Sequence, residues 1–124
     1  MTKTLILDTN VYLTEAQALF SFGKSNIAIP TIILDEIDKH KHRQDTAGLN
    51  ARTMNRVLDK LRSKGSLLQG VPIGRGKGRV FAAPYDPRYL PSGMDPKDSD
   101  NKIIAVAVRL QIEGQDIAVV SRDL

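Results

Sequence analysis

The sequence predicts an α/β fold with a central, mainly parallel sheet, and the alternation of two kinds of segment supports this prediction. Short apolar runs that end abruptly at polar residues have the pattern of buried strands, and they cover residues 3–7, 26–29 and 117–120. Between them lie longer segments whose apolar residues repeat every three or four positions, which is the spacing of one helix face. A chain of 124 residues has the size of a single domain with a sizeable core.

Composition narrows the class of protein and of partner. Hydrophobic residues make up 41% of the chain and charged residues 26%, as is usual for soluble globular domains. The absence of cysteine excludes disulfides and cysteine-based zinc sites. No apolar run reaches the length of a membrane span, and the N-terminus lacks the pattern of a signal peptide. We therefore expect a cytoplasmic location and no membrane partner.

The net charge of +4 is unevenly distributed along the chain. Basic residues outnumber acidic ones from Lys39 to Arg88, whereas acidic residues gather at strand ends and between Asp95 and Asp100. A moderate basic excess favours a polyanionic partner. A basic surface around an acidic centre is the charge pattern that a metal-dependent nuclease needs.

The N-terminal strand ends at Asp8, where the polarity of the chain changes abruptly. Ligands of open α/β sheets bind outside the carboxyl ends of the strands, so the Asp8 carboxylate is expected to face such a crevice. Asp is also a good N-cap, and this stretch alone leaves both roles open. Helical spacing follows over residues 11–22, and Gly23 is a natural stop.

The middle of the chain predicts two helices. Pro30 ends the second strand and is expected at the first helical position of a helix that runs to residue 42, in which Glu36 borders the apolar face. A longer helix is predicted over residues 46–64, with a core face and a basic face. A solvated helix surface is the simplest explanation of such a basic face.

A glycine-rich basic stretch follows, with two short strands predicted at residues 67–68 and 79–81. The glycines suggest a phosphate-binding loop, but that motif requires Gly-Lys-Ser/Thr at the start of a helix. Here Gly78 follows Gly76 and Lys77, so the nucleotide-loop interpretation is rejected. The alternative that this stretch is a mobile basic arm that touches a phosphate backbone stays open.

The C-terminal third predicts an irregular segment, a helix and a strand. Residues 84–96 hold four of the six prolines and are expected to be irregular. A helix is predicted over residues 99–112, with acidic residues in its first turn and Gly114 at its end. The last strand, residues 117–120, leads directly into Ser121 and Asp123.

Four acidic residues are expected to meet at one edge of the sheet. Asp8 and Asp123 follow strands. Glu36 and Asp100 are expected in the first turns of helices that begin at the same edge. Clustered carboxylates repel one another unless a cation neutralises them, and oxygen-only ligands suit Mg²⁺ or Mn²⁺. A metal-held water that attacks phosphorus would hydrolyse a phosphodiester without any nucleophilic side chain.

Two other types of site fit the sequence less well. Phosphatases of the haloacid-dehalogenase type need Asp-x-Asp after the first strand, and Asn10 takes the place of the second Asp, which removes the general acid. His40 and His42 are two positions apart on a predicted helix, so they do not face each other. We expect both histidines to be surface residues.

Four motifs in order carry a family resemblance. They are Leu7-Asp8-Thr9-Asn10-Val11, then Ile29-Pro30 with Leu34-Asp35-Glu36-Ile37-Asp38-Lys39, then Asp100-Asn101-Lys102-Ile103-Ile104-Ala105-Val106-Ala107, and finally Val119-Val120-Ser121-Arg122-Asp123. In their order and spacing these motifs resemble PIN-domain ribonucleases over nearly the whole chain. The Gly-x-Asn-Ala-Arg segment at residues 48–52, followed by Arg56, Leu58, Leu61 and Arg62, most resembles the PIN domain that precedes the ATPase in PhoH-like proteins.

The resemblance implies a PIN-like three-layer α/β/α sandwich, formed by a single domain over residues 1–124 with a basic, glycine-rich insertion at about 66–83. PIN domains normally continue past the last acidic residue into another helix and strand, whereas this chain stops one residue after Asp123. We therefore expect the C-terminal helix and strand to be missing. A fragment of a longer protein, a short natural version and a degenerate domain all stay open.

The resemblance also implies an endoribonuclease that uses Mg²⁺ or Mn²⁺. By position, Asp8 and Asp100 would hold the principal ion, and Glu36 would bind it through water or orient the attacking water. Asp123 would complete the site or serve a second ion. The residues implied to hydrogen-bond these carboxylates are Thr9, Asn10 and Ser121. Three further acids are expected to be solvated, namely Asp35, Asp38 and, beside the helix cap, Asp98.

RNA is the implied substrate, and single-stranded regions are the easier ones to thread past a recessed acidic crevice. The basic residues expected to contact its phosphates are Lys39, Lys41, Arg43, Arg52, Arg56, Arg75, Lys77 and Arg79. A PhoH-like ATPase domain, downstream or in trans, is the implied partner, and a homo-oligomer stays open. Two alternative functions also stay open: a cleavage-incompetent RNA-binding module and the toxin of a toxin–antitoxin pair.

Overall fold

The computed structural model of the protein describes residues 2–121, which form a five-stranded sheet packed against helices. The strands are β1 (Lys3–Leu7), β2 (Asn26–Pro30), β3 (Val71–Pro72), β4 (Arg79–Ala83) and β5 (Asp116–Val120). The helices are α1 (Thr9–Thr14), α2 (Thr31–His40), α3 (Thr46–Arg62) and α4 (Ser99–Ile112), with short 3₁₀ helices at Ala18–Phe20 and Pro87–Tyr89.

The sheet has the order β3-β4-β2-β1-β5, and among these five strands only β3 runs antiparallel to its neighbour. The connections from β1 to β2 and from β2 to β4 step in one direction, whereas the connection from β4 to β5 steps back. Right-handed crossovers therefore place α1, α2 and α3 on one face of the sheet and α4 on the other. This architecture confirms the predicted α/β sandwich with a mainly parallel sheet.

The two central strands are buried on both faces, as the unbroken apolar runs predicted. Ile6 and Leu7 of β1 and Ile27 of β2 are completely inaccessible to solvent. In the parallel register of β1 and β5, Leu7 lies opposite Val120. The residue that follows β1 therefore emerges at the carboxyl edge of the sheet, beside the end of β5.

The first predicted helix, over residues 11–22, is divided in the structure. Helix α1 begins two residues earlier, because Asp8 caps it, and it stops where Glu15 takes an extended conformation with φ −144° and ψ 98°. The apolar residues beyond Glu15 are buried through a 3₁₀ helix instead. Capping and local backbone geometry, rather than hydrophobic spacing, decide where α1 begins and ends.

The other three predicted helices are present. Helix α4 has the predicted bounds, while α2 and α3 each end two residues before the predicted position. Pro30 is the last residue of β2 and precedes the first helical residue of α2, one position earlier than predicted. None of the helices within residues 2–121 is both long and apolar enough to cross a membrane.

The prediction of a strand at residues 67–68 is wrong, because these residues lie in a turn. The Ser66 carbonyl accepts hydrogen bonds from the amides of Gln69 at 3.2 Å and Gly70 at 2.9 Å, which closes the chain on itself. Gly70 continues the turn with φ +103°, a conformation that favours glycine. The segment 66–83 contributes β3 and β4 to the sheet in addition to a basic turn.

Tyr12 of α1 is completely buried, and within residues 2–121 its hydroxyl has no hydrogen-bond partner. Burial raises the pKa of this phenol, because the ionised form would have to leave water. The ring therefore contributes to the core, while the hydroxyl carries an uncompensated desolvation cost.

We expect Tyr12→Phe to raise the free energy of unfolding by about 1 kcal/mol, because it keeps the ring and removes the unpaired hydroxyl. In the unfolded chain the phenol ionises near pH 10, so the wild type should lose stability as the pH rises above about 10, and Tyr12→Phe should lose less. Urea unfolding at neutral and at high pH measures both effects. A variant that is less stable at neutral pH, or equally sensitive to high pH, would contradict this explanation.

Candidate metal centre

Asp8 lies at the carboxyl edge of the sheet, directly after β1, and is half-buried. Its amide donates to the Val120 carbonyl at 2.9 Å, which extends the pairing of β1 with β5 by one residue. Its Oδ1 accepts from the Thr9 amide at 2.7 Å and caps α1. The hydroxyl of Ser121 lies 3.5 Å from the other carboxylate oxygen, Oδ2. Asp8 is therefore an N-cap, and this role uses only one of its two oxygens.

Glu36 is joined to this edge by the buried hydroxyl of Thr9. Thr9 is only 5% exposed, and its Oγ1 donates to Glu36 Oε2 at 2.7 Å, while its amide donates to Asp8. Glu36 lies in the second turn of α2, so the prediction of a first-turn position is wrong. Because α1 and α2 pack against each other, the second turn still brings Glu36 to Thr9.

Asp100 reaches the same edge from the helix on the opposite face of the sheet. It lies in the first turn of α4, as predicted. Asp8 and Asp100 line a single cavity of about 200 Å³, whose other lining residues are Ser121, Ile103, Ile104 and Val119. The Asp at the end of β1 and the Asp in the first turn of α4 therefore share one cavity with an apolar wall.

The remaining acidic and amide candidates lie elsewhere. Asp35 and Asp38 are exposed on α2, as expected. Asp98 is exposed, but it is itself the N-cap of α4, because its Oδ1 accepts from the Asp100 amide at 2.9 Å. An Asp directly before a predicted helix is a known capping signal, so the prediction that Asp98 lies beside the cap is wrong. Asn10 is exposed in the first turn of α1, and Asp123 lies outside the described residues.

The chemistry of these side chains suits a hydrated, hard cation. Within residues 2–121, no group of three acidic or histidine side chains is close enough to hold a metal ion. Asp8 and Asp100 nevertheless face one cavity, and Thr9 links Glu36 to Asp8. Mg²⁺ usually keeps several waters and binds through one or two carboxylates together with substrate phosphates. The donor set fits that mode better than a closed site made only of protein ligands.

Basic residues surround the end of α2, the helix that carries Glu36. Lys41 pairs with Asp38 at 3.1 Å, and Arg43 pairs with Asp45. The Gly48 amide and the Arg43 guanidinium hold the pKa of Asp45 below its usual value. The four charged side chains are 38–57% exposed, so each pair contributes little to stability and can exchange for another partner.

The other basic candidates differ in their contacts within the protein. Lys39 and Arg75 are exposed. Four others donate hydrogen bonds within the protein: Arg52 to the carbonyls of residues 41 and 43, Arg56 to Thr53 Oγ1, Lys77 to the Phe20 carbonyl and Arg79 to the Gly70 carbonyl. The histidines lie at the end of α2, where His42 is exposed and His40 Nδ1 accepts from Arg43 Nη1 at 3.0 Å.

Comparison with known proteins identifies the family. Residues 5–124 match the PIN domain family, so the chain belongs to the PIN-domain proteins. PIN domains are generally nucleases, and they generally use divalent metals.

Curated relatives show which proteins with a PIN domain the chain is similar to. The chain is 39% identical to Protein PhoH2 of Thermobispora bispora, 36% identical to Protein PhoH2 of Bacillus subtilis and 31% identical to Protein PhoH2 of Mycolicibacterium smegmatis. These alignments cover 99%, 100% and 98% of this chain, but only 28%, 30% and 28% of the relatives. The resemblance to the PIN domain of PhoH-like proteins is confirmed, and the chain spans less than a third of the length of these relatives.

We expect Thr9→Val to lower the free energy of unfolding by about 1–3 kcal/mol, because it leaves the Glu36 carboxylate without its buried hydroxyl donor. Thr9→Ser is the matched control, since it keeps the hydroxyl and loses only a methyl group. Urea unfolding at neutral pH compares the three proteins. A Thr9→Val variant that is as stable as the wild type would show that the hydroxyl bond does not hold Glu36 as described.

Proposed function

We propose that the protein is a divalent-metal-dependent endoribonuclease that hydrolyses RNA phosphodiester bonds. The observation that carries the proposal is the cavity shared by Asp8 and Asp100, with Glu36 joined to Asp8 through Thr9. Membership of a family whose members are generally nucleases supports it. The net charge of +4 supports a polyanionic substrate.

In this proposal the carboxylates of Asp8 and Asp100 hold Mg²⁺ or Mn²⁺. When bound, the ion supplies Lewis acidity and a water molecule of lowered pKa. Thr9 restrains two carboxylates at once, Asp8 through its amide and Glu36 through its hydroxyl. Such restraint keeps the acidic side chains in place while substrate enters and product leaves.

Glu36 is proposed to orient the attacking water. Its carboxylate is half-buried on α2 and is turned toward α1 by the 2.7 Å bond from Thr9. Ser121 and Asn10 are proposed to steady the acidic side chains by hydrogen bonding, and Asp123 to complete the acidic set or to serve a second ion. In this proposal Asp8 and Asp100 share the task of holding the ion, and Glu36 has the separate task of orienting the water.

Single-stranded RNA is the proposed substrate. A cavity of about 200 Å³ at the end of the strands is reached more easily by one flexible backbone than by a duplex. Lys39, Lys41 and Arg43 follow Glu36 along α2 and into the next segment, and we propose that they contact the phosphates of the RNA outside the cavity. The remaining proposed phosphate contacts are Arg56 on α3 and the arm formed by Arg75, Lys77 and Arg79.

A PhoH-like ATPase domain is the proposed partner. The relatives named PhoH2 are about 3.5 times longer than this chain, and they align with it over 28–30% of their length. We propose that such a domain, in the same chain or in trans, delivers unwound RNA to the nuclease site.

A cleavage-incompetent RNA-binding module is the second candidate. One observation favours it: within residues 2–121 no three acidic or histidine side chains form a metal-holding group. Such a module would keep the basic surface and bind RNA without metal-stimulated cleavage.

Cleavage of a labelled single-stranded oligonucleotide should require Mg²⁺ or Mn²⁺ and stop in EDTA. Asp8→Asn should lower the single-turnover rate constant at least about a hundredfold, because the amide removes a charged ligand of the ion. Asp35→Asn is the matched control, since Asp35 is exposed on α2 and does not line the cavity. It should cleave at the wild-type rate.

The two candidate functions give different outcomes in this assay. Cleavage that persists in EDTA and in Asp8→Asn contradicts the metal mechanism. Salt-dependent RNA binding by the wild type, with no cleavage in Mn²⁺, favours the binding module.

A further inference from the structure

We propose that Arg52 is a positioning residue for RNA binding. It fixes the segment between α2 and α3, residues 41–45, which we call the basic connector. In this role Arg52 does not itself contact a phosphate. The inference rests on the proposed RNA-binding function and assigns a task to the Gly-x-Asn-Ala-Arg motif at residues 48–52.

The guanidinium of Arg52 spans the basic connector. Its Nη1 donates to the Lys41 carbonyl at 2.8 Å and to the Arg43 carbonyl at 2.9 Å. Both acceptors are main-chain groups, and both hydrogens of one nitrogen are used. Arg52 therefore restrains the backbone from which the Lys41 and Arg43 side chains project.

Gly48 allows the connector to lie directly against α3. A Cβ atom at this position would lie 2.0 Å from the Arg43 carbonyl oxygen, so any side chain would push the connector away. Asp45 completes the arrangement, because its Oδ1 accepts from the Gly48 amide at 3.1 Å and caps α3. Arg43 is therefore held by contacts at both Gly48 and Arg52.

Asn50 of the same motif acts in a similar way on another element. Its Nδ2 donates to the Leu13 carbonyl at 2.7 Å, near the end of α1. Asp8 caps helix α1, and α2 carries Glu36. The motif thus ties α3 to the main chain of two other segments, the end of α1 and the basic connector.

The ion pairs of the connector and the hydrogen bonds of Arg52 differ in how readily an RNA phosphate can replace them. The pairs of Lys41 with Asp38 and of Arg43 with Asp45 are solvent-exposed, so phosphate can replace either acid at little cost. Arg52 is exposed as well, but it is bound to neutral carbonyls whose positions define the connector. A connector that is already ordered loses less conformational entropy when RNA binds.

A lysine at position 52 separates positioning from phosphate contact. Lysine keeps the positive charge, but its ammonium lies one covalent bond short of the Nη1 position and lacks the planar fork. If Arg52 contacts phosphate, Arg52→Lys should retain most of the affinity. If Arg52 holds the two carbonyls, Arg52→Lys should fail as Arg52→Gln does.

Binding of an oligouridylate probe in EDTA, measured by fluorescence anisotropy over a range of salt concentrations, tests the proposal. We expect both Arg52→Lys and Arg52→Gln to bind roughly tenfold more weakly, from the loss of two hydrogen bonds. The slope of log K against log salt should equal that of the wild type, because no phosphate contact is lost. Arg62→Gln on the same helix is the matched control, since Arg62 pairs with Asp59 and has no proposed RNA role.

Either of two binding results would overturn the proposal. One is that Arg52→Lys, alone or together with Arg52→Gln, binds the probe with wild-type affinity. The other is a slope that falls by about 0.7 in Arg52→Gln, the change expected when one phosphate contact to single-stranded RNA is lost. In cleavage assays the proposal predicts a raised KM with an unchanged kcat for both variants, whereas a general loss of folded protein would lower the apparent kcat.

Amide hydrogen exchange without RNA keeps this inference separate from the proposed function. Residues 41–45 should exchange faster in both Arg52 variants, while the central strands exchange as in the wild type. Unchanged exchange of residues 41–45 would overturn the positioning role even if RNA binds. If the wild type binds no RNA at all, the proposed function fails and the binding role of Arg52 fails with it, whatever the exchange shows.

Discussion

The structure depends on the fixed register of β1 in the middle of a parallel sheet. Ile6 and Leu7 are completely buried, so a slip of one residue would bring the Asp8 carboxylate into the place of a buried side chain. The Asp8 amide continues the same ladder by donating to the Val120 carbonyl. Burial of apolar side chains thereby determines where a charged carboxylate emerges, at the carboxyl edge between α1 and the end of β5.

The acidic edge is assembled from both faces of the sheet. Thr9 connects Asp8 to Glu36 on the face covered by α1–α3, and α4 brings Asp100 to the cavity from the other face. Like charges gathered in this way repel one another, and a divalent cation relieves that repulsion. The basic connector lies beyond the end of α2, and Arg52 holds its backbone through two carbonyls. One helix, α3, therefore supports the elements around the acids and the surface proposed to bind RNA.

Hydrophobic periodicity predicted the elements whose limits are set by burial. Helix α4 has the predicted bounds, and the central strands lie where their apolar runs indicated. Prediction failed where hydrogen bonding of the backbone decides the outcome, as in the turn closed by the Ser66 carbonyl. The position of Asp8 and Asp100 at the carboxyl edge of the sheet was predicted from the order of strands and helices. The turn of α2 that carries Glu36 and the capping role of Asp98 are local features that follow from residue counting and from a capping signal. The carbonyl contacts of Arg52 depend on tertiary packing, which periodicity does not describe.

The central claim is that Asp8 and Asp100 jointly hold one divalent cation, and a Mn²⁺ titration monitored by electron paramagnetic resonance tests it most directly. The account predicts that Asp100→Asn weakens Mn²⁺ binding at least about tenfold. Asp98→Asn should bind Mn²⁺ nearly as well as the wild type, because Asn also caps helices and Asp98 does not line the cavity. Equal Mn²⁺ affinity of the wild type and Asp100→Asn, or an equal loss in Asp98→Asn, would contradict the account.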